Sequence, residues 1–173
     1  MRYALLTVGA DRPGIVAGIT GVLVRHGVNI EDSQMAILQG QFAMVLILAS
    51  PEDVSAEELR RELNDEGRRL GLDAVVVNDV AATARQRPEP THAITVYGGD
   101  HPGIVHGVSA ALAAVDANVT NLATRLGGGD EPVYLMVIEI AAPSSVDPAE
   151  VLRAVADEHS VEIRVESLDP ATL

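Results

Sequence analysis

Apolar and polar residues alternate with two different periods along the chain, and the same order of periods occurs twice. Runs in which apolar residues fill every position or every second one predict β-strands, and stretches in which every third or fourth residue is apolar predict helices. The first half predicts strand 2–9, a helix from Pro13 to Gly27, strands 28–38 and 42–49, a helix capped by Ser55, and strand 72–77. The second half predicts strand 92–98, helix 102–115, strands 118–126 and 133–141, helix 148–159, and strand 161–167.

The two predicted helices of the first half have apolar stripes and recognisable ends. The stripe of the first helix consists of Ile15, Ile19, Val22, Leu23 and His26. The stripe of the second helix consists of Leu59, Leu63 and Leu70. Ser55 is placed to cap this second helix, with Glu58 three residues later as its capping-box partner. The segment 39–41, between the two middle strands, predicts a tight hairpin.

A motif near the start of each half indicates that the halves are copies of one unit. The segment D-R-P-G-I-V-A-G at 11–18 returns as D-H-P-G-I-V-H-G at 100–107, identical at six of eight positions. At the same offset Asn29 matches Asn118, and a three-residue expansion at 127–129 brings the following strands into alignment. Self-similarity over most of both halves predicts a duplicated supersecondary unit.

The order strand-helix-strand-strand-helix-strand is that of the ferredoxin-like fold. We therefore expect an α+β protein with two such domains in tandem, 1–80 and 92–173, joined by a linker over 81–91. Each antiparallel sheet should carry its helices on one face, where their stripes are buried. Strands 42–49 and 133–141 are apolar on both alternating positions. Either the other sheet face is partly covered, or these are simply well-buried central strands.

Composition and charge exclude several classes of partner. The chain has 173 residues and a net charge of −13, from 25 acidic and 12 basic side chains. Nucleic-acid binding usually depends on clustered basic residues and on aromatic side chains, and aromatic residues make up only 2% of the chain. We therefore expect no direct contact with DNA or RNA. Because a unit of about 80 residues buries a modest share of its surface, we expect the halves to dock or the chain to form a homodimer.

Several features are typical of a cytoplasmic protein. The chain has no cysteine, which excludes disulfides, thiolate metal sites and cysteine nucleophiles. The apolar run at the N-terminus is too short for a signal peptide. No apolar run approaches the roughly 20 residues that cross a bilayer, so no membrane contact is expected.

The junction between the first strand and first helix of each half is the candidate for binding chemistry. Pro13 and Pro102 suit the first turn of a helix, where the missing N–H has no intrahelical partner. Gly14 and Gly103 leave the helix N-terminus without a shielding side chain. Free N–H groups and the positive end of the helix dipole would then favour a carboxylate or another anion.

The polar residues of this region also have structural interpretations. Asp11 and Asp100 would serve as helix N-caps, with the glycines permitting a tight turn. Asn29 and Asn118 open the strand after the first helix, where an amide offers a donor and an acceptor to a bound amino acid. The alternative is a turn residue that tolerates a left-handed backbone. The recurrence of both features at equal spacing in the two halves supports a functional role.

The motif D-x-P-G-I-V-x-G, followed by a helix and V-N-I-E-D, resembles the signature of the ACT domain, a small-molecule sensing module of amino-acid metabolism. The second copy, with A-N-V-T-N after its helix, resembles the same signature. A stand-alone pair of such domains resembles the glycine cleavage system transcriptional repressor group. Related tandem pairs precede the catalytic domain in some phosphoserine phosphatases.

The resemblance implies that domains pair side by side into a continuous sheet and bind an amino acid where paired domains meet. The Asp-x-Pro-Gly loop would hold the ligand, and an asparagine would reach it from a neighbouring unit. The ligand-binding candidates are therefore Asp11, Pro13, Gly14, Ile15 and Asn29, with Asp100, Pro102, Gly103, Ile104 and Asn118 in the second half.

The chain departs from the serine-sensing pattern of this family at two places. Serine-sensing members often carry an amide at the positions of Asp11 and Asp100. They also carry a histidine two residues earlier, where this chain has Gly9 and Gly98. A carboxylate in the loop would attract the ammonium group of an amino acid. Glycine and serine are the candidate ligands.

No catalytic residues, metal or cofactor are expected. No serine lies on a nucleophile elbow, and neither glycine-rich segment fits a phosphate motif. The five histidines lack the spacing of metal ligands: His26, His92, His101, His106 and His159. His106 aligns with Ala17 and so distinguishes the two sites. The segment 127–130 predicts a mobile turn between strands, with a flexible ligand flap as the alternative.

The leading functional hypothesis is a cytoplasmic regulatory protein that senses an amino acid or a similar metabolite. Because the chain has no effector domain, it would act on a protein partner such as a transcriptional regulator or a biosynthetic enzyme. The alternative is a ligand-independent oligomerisation or interaction module.

Overall fold

The computed structural model describes residues 1–52, 54–80, 88–127 and 133–168. The chain divides into two units, Met1–Arg85 and Gln86–Leu173. Most of the predicted linker (81–87) and most of the predicted mobile turn (128–130) lie outside the described residues.

Each unit is a four-stranded antiparallel sheet with two helices. The first comprises β1 (Arg2–Ala10), α1 (Ile15–Arg25), β2 (Asn29–Leu38), β3 (Gln41–Ala49), α2 (Ala56–Arg69) and β4 (Leu72–Asp79). The second comprises β5 (His92–Gly99), α3 (Ile104–Ala113), β6 (Asn118–Leu126), β7 (Val133–Ala141), α4 (Pro148–His159) and β8 (Glu162–Ser167). The strand orders are β2-β3-β1-β4 and β6-β7-β5-β8. The prediction of two ferredoxin-like units in tandem is confirmed.

The helices of each unit pack on one face of its sheet and enclose an aliphatic core. The predicted apolar stripes are buried, because their spacing places them on the face that meets the sheet: Ile15, Ile19, Val22, Leu23, Leu59, Leu63 and Leu70. His26 differs from the rest of its stripe. It is the C-cap residue of α1, and its Nε2 lies 3.3 Å from Glu62 Oε2 of α2.

The helices begin in two different ways. Ser55 caps α2 as predicted, because its hydroxyl accepts a hydrogen bond of 3.3 Å from the Glu58 N–H. The Asp147 carboxylate caps α4 and accepts a hydrogen bond of 2.9 Å from the Ala149 N–H. α1 and α3 have no side-chain cap and begin two residues after their prolines. The prediction that the prolines open the first helical turn is therefore wrong, because a left-handed glycine separates each proline from its helix.

The sheet face opposite the helices is open on the central strand of each unit. Val45 of β3 is 42% exposed and Val137 of β7 is 39% exposed, whereas their strand neighbours Met44 and Met136 are buried. The apolar residues on both alternating positions of these strands therefore do not reflect burial on both faces.

The outer faces of the two sheets differ in chemistry. In the first unit Leu6 pairs with Val45 on one side and Val76 on the other, which makes an exposed aliphatic row. In the second unit the matching row consists of Val137, Thr95 and Arg164. This row of the first sheet is therefore aliphatic throughout, whereas that of the second sheet has one aliphatic, one polar and one charged residue.

Candidate ligand-binding loops

Each Asp-x-Pro-Gly loop ends on a glycine with a left-handed backbone. Gly14 is the N-cap residue of α1 and has a φ of 97°, and Gly103 is the N-cap residue of α3 with a φ of 108°. L side chains rarely adopt such values, so glycine is required at both positions. Because no side chain caps these helices, the N–H groups of their first turns are left for a ligand or for water. The positive end of the helix dipole makes this a favourable place for an anion.

Asp11 and Asp100 are not helix N-caps, so that structural interpretation is wrong. The cap position belongs to a glycine three residues farther along, because the loop turns through a left-handed residue before the helix starts. The Asp11 N–H donates a hydrogen bond of 2.8 Å to the Gly40 carbonyl and ties the loop to the hairpin between β2 and β3. Within the described part of the chain the exposed Asp11 carboxylate has no hydrogen bond or ion pair. It is therefore available to a cation.

The second loop borders an open cleft of about 520 Å³. The cleft is lined by Asp100, His101, Pro102, Gly103, Ile104, Val105, His106, Ser109 and Tyr134. Four residues predicted from the sequence thus lie together, and the cleft has the volume of a small-molecule site. Burial, and next the negative charge of Asp100, raise the pKa of the Tyr134 hydroxyl. Asp100 therefore lies close enough to the Tyr134 hydroxyl to disfavour its ionisation.

The variable residue of each motif fastens the loop to the second helix of its unit. Arg12 Nη2 donates a hydrogen bond of 3.3 Å to the carbonyl of Arg69, the last residue of α2. His101 Nε2 lies 2.9 Å from the carbonyl oxygen of His159, the last residue of α4. The His101 and His159 rings also stack, with centroids 5.2 Å apart. Neither contact is predictable from the sequence, because the partners are 57 and 58 residues apart and follow no motif.

Asn29 and Asn118 lie at the far end of the sheet from the loop of their own unit. Asn29 opens β2 and pairs with Ala49, which on its other side pairs with Arg2 at the start of β1. Asp11 follows the opposite end of β1, so nine residue steps of about 3.3 Å from Arg2 place the Cα atoms of Asn29 and Asp11 about 30 Å apart along the strand. Asn118 has the same place in β6. Within one unit, the structure does not bring the predicted asparagine and aspartate together.

Close packing fixes glycine where serine-sensing ACT domains carry a histidine. A Cβ on Gly9 would lie 2.9 Å from the Leu72 Cα, which is main chain and cannot move aside. A Cβ on Gly98 would lie 2.8 Å from the Val161 Cγ1. Recognition of a ligand by a side chain at this position is therefore sterically blocked in both units.

The described residues contain no group of three or more His, Asp or Glu side chains arranged to hold a metal ion. In the same part of the chain, no helix has the length and apolar character to cross a membrane.

The chain is similar in sequence to several known proteins. The ACT domain family model matches residues 3–77, the first unit. A UPF0237 protein of Methanopyrus kandleri is 45% identical over 87 residues, which cover 50% of this chain and 97% of the relative. The glycine cleavage system transcriptional repressor of Escherichia coli is 31% identical over 159 residues, which cover 88% of this chain and 82% of the repressor.

A solved structure extends the likeness over both units. The crystal structure of an unknown protein from Galdieria sulphuraria superposes with a TM-score of 0.81 at 25% identity and covers 97% of this chain and 98% of that one. The second unit repeats the motif and the strand order of the first. The chain therefore belongs to the ACT-domain family, as a tandem ACT-domain regulatory protein related to the glycine cleavage system transcriptional repressor.

Proposed function

We propose that this protein is a non-catalytic sensor that binds an amino acid at its Asp-x-Pro-Gly loops and signals to a protein partner. The observation that carries the proposal is the combination, in each loop, of an exposed aspartate with an uncapped helix N-terminus. A free amino acid presents a carboxylate and an ammonium group a few ångströms apart. The helix N–H groups suit the carboxylate, and the aspartate suits the ammonium group.

Glycine and serine are the first candidate ligands for the cleft of the second unit. Ile104 and Val105 begin the helix beside the glycine, and Ser109 lies one turn farther along. The glycines at positions 9 and 98 remove one polar side chain that serine-sensing domains use. Selectivity would therefore depend on the aspartates and on the residues of α1 and α3.

Asn29 and Asn118 would contribute only where two ACT units pair. Because each asparagine lies about 30 Å from the aspartate of its own unit, a ligand that contacts both kinds of residue must contact two units. A ligand held in this way binds one arrangement of paired units better than another, which is the requirement for a signal. A homodimer would provide such pairs.

A protein partner in the cytoplasm would receive the signal. The net charge of −13 disfavours direct contact with nucleic acid. The E. coli relative is named as a transcriptional repressor. A transcriptional regulator is accordingly the first partner class to test.

Thermal unfolding against a panel of amino acids tests the sensing proposal. An amino acid at 100 times its Kd should stabilise the folded state by about 2.7 kcal/mol. For a chain of this length the unfolding temperature should rise by about 5–11 °C. Asp11→Ala and Asp100→Ala should reduce or abolish the rise, and Asp73→Ala, which removes an exposed aspartate of β4, should leave it unchanged.

A ligand-independent interaction module is the second candidate, and the exposed aliphatic row of the first sheet favours it. In that case no amino acid would shift the unfolding temperature. Asp11→Ala and Asp100→Ala would then bind a partner as the natural protein does and would differ from it only in stability.

A further inference from the structure

Both ring nitrogens of His101 face carbonyl oxygens. Nε2 lies 2.9 Å from the His159 oxygen, and Nδ1 lies 3.2 Å from the Pro102 oxygen. A carbonyl oxygen only accepts hydrogen bonds, and a neutral imidazole has a single N–H to donate. Both contacts are therefore hydrogen bonds only when the ring carries two protons and a positive charge.

The surroundings of His101 favour that charged form. The hydrogen bond to the His159 carbonyl, followed by that to Pro102 and the charge of Asp100, raises the His101 pKa against a smaller effect of burial. The His159 carbonyl ends α4, where the negative end of the helix dipole favours a cation. His106 of α3 and Tyr134 of β7 line the same cleft. His159 of α4 stacks on the ring, so a proton on each histidine would place two like charges 5.2 Å apart.

The first unit builds the same contact from groups that do not titrate near neutral pH. Arg12 occupies the position of His101 and stays charged at any physiological pH. Glu66 and Leu70 together occupy the position of the His159 ring. A Cβ on Gly18 would meet Glu66 Oε1 first and Leu70 Cδ1 at 2.9 Å, and a Cβ on Gly107 would meet His159 Nε2 at 2.8 Å. The second unit thus has two stacked histidines where the first has an arginine beside a carboxylate and a leucine.

We propose that His101 is a pH-dependent latch that positions the second loop against α4, whereas Arg12 holds the first loop at every physiological pH. The latch is closed while the ring has two protons and opens as the pH rises through the raised pKa of His101, above the ordinary value of 6.5. The inference rests on the proposed function only for what the loop binds. In a sensing protein it would make the second site respond to pH and the first site indifferent to pH.

Nuclear magnetic resonance of the full chain, with no amino acid added, tests the latch directly. The ¹⁵N shifts of the His101 ring should show both nitrogens protonated up to a midpoint above 6.5. The readout for the loop is exchange of the Gly107 amide, which donates the first hydrogen bond of α3 to Gly103 at 2.8 Å. Its protection, corrected for intrinsic exchange, should fall as the pH rises through that midpoint. The Gly18 amide, bonded in the same way to Gly14, is the internal control and should not change.

Substitutions at His101 and Arg12 distinguish a pH-dependent contact from simple structural support. His101→Arg should keep Gly107 protected at all pH values, and His101→Gln should leave it weakly protected at all of them. Arg12→His should transfer the pH dependence to the Gly18 amide. His92→Gln, which changes a histidine at the start of β5 outside the cleft lining, should leave the profile unaltered.

Three results would overturn the latch. One is a His101 midpoint at or below 6.5, and another is Gly107 protection that ignores that midpoint. The third is a natural pH profile in His101→Gln. Because no amino acid is present, none of these results depends on whether the sensing proposal is correct.

Discussion

Replacing Gly14 and Gly21 by alanine should change stability in opposite directions. Both glycines have open space where the added Cβ would lie, with no atom within 4 Å. Gly14 has a φ of 97°, whereas Gly21 is inside α1. The pair therefore isolates the effect of backbone conformation from the effect of packing.

The magnitudes follow from the conformation of each residue. A side chain in the left-handed region costs about 1–2 kcal/mol, and positions farther from the allowed region cost up to about 3 kcal/mol. Gly14→Ala should therefore destabilise the first unit by about 1–3 kcal/mol. Glycine inside a helix costs about 0.8–1.0 kcal/mol relative to alanine, so Gly21→Ala should stabilise it by about that amount. The two variants should differ by about 2–4 kcal/mol.

Urea titration followed by amide resonances measures the two units separately. The free energy of unfolding comes from linear extrapolation for the resonances of each unit. Resonances of the second unit serve as the control, because neither substitution lies there. The reasoning fails if Gly14→Ala unfolds within 0.5 kcal/mol of the natural chain, or if Gly21→Ala is the less stable of the two variants.

Two further predictions concern the ion-pair cluster and the sheet. Hydrogen bonds from Arg25 and then His26 lower the pKa of Glu62, so this carboxylate stabilises the fold above its ordinary pKa of 4.5, and the contribution disappears as the pH falls through the lowered value. Glu62→Gln should therefore flatten the acid side of a plot of urea midpoint against pH, and an unchanged slope would contradict the assignment. Ile138→Ala, at a fully buried position, should cost about 2–5 kcal/mol. Its neighbour Val137, 39% exposed on the outer face, should cost much less when replaced by alanine, and equal losses in urea titration would show that both faces are covered.

The fold could be predicted because the features that indicate its helices and turns are local in sequence and because the same order of elements occurs in both halves. The stripe of Leu59 and Leu63, the Ser55 cap and the Gly40 turn each depend on residues a few positions apart. The repeat then shows that one interpretation must hold for both halves. α1 and α3 begin two residues later than predicted, because a left-handed glycine leaves no trace in the pattern of apolar residues.

The candidate site could be predicted only in part. The Asp-x-Pro-Gly loop is contiguous in sequence, so its members lie together as a matter of course. The separation of Asp11 and Asn29 follows from the predicted strand-helix-strand order, because β2 runs parallel to β1 and begins at the end of the sheet where β1 begins. The contact between His101 and His159 depends on where α4 ends relative to α3, and no motif records that packing.

The difference between the two outer sheet faces limits how copies of this chain can assemble. A patch that meets an identical patch across a twofold axis is used up once two chains have joined. Leu6, Val45 and Val76 offer such an aliphatic patch in the first unit, whereas Arg164 places a charge in the corresponding row beside Val137 and Thr95. Association of the first-unit patch with its own copy would therefore close at two chains.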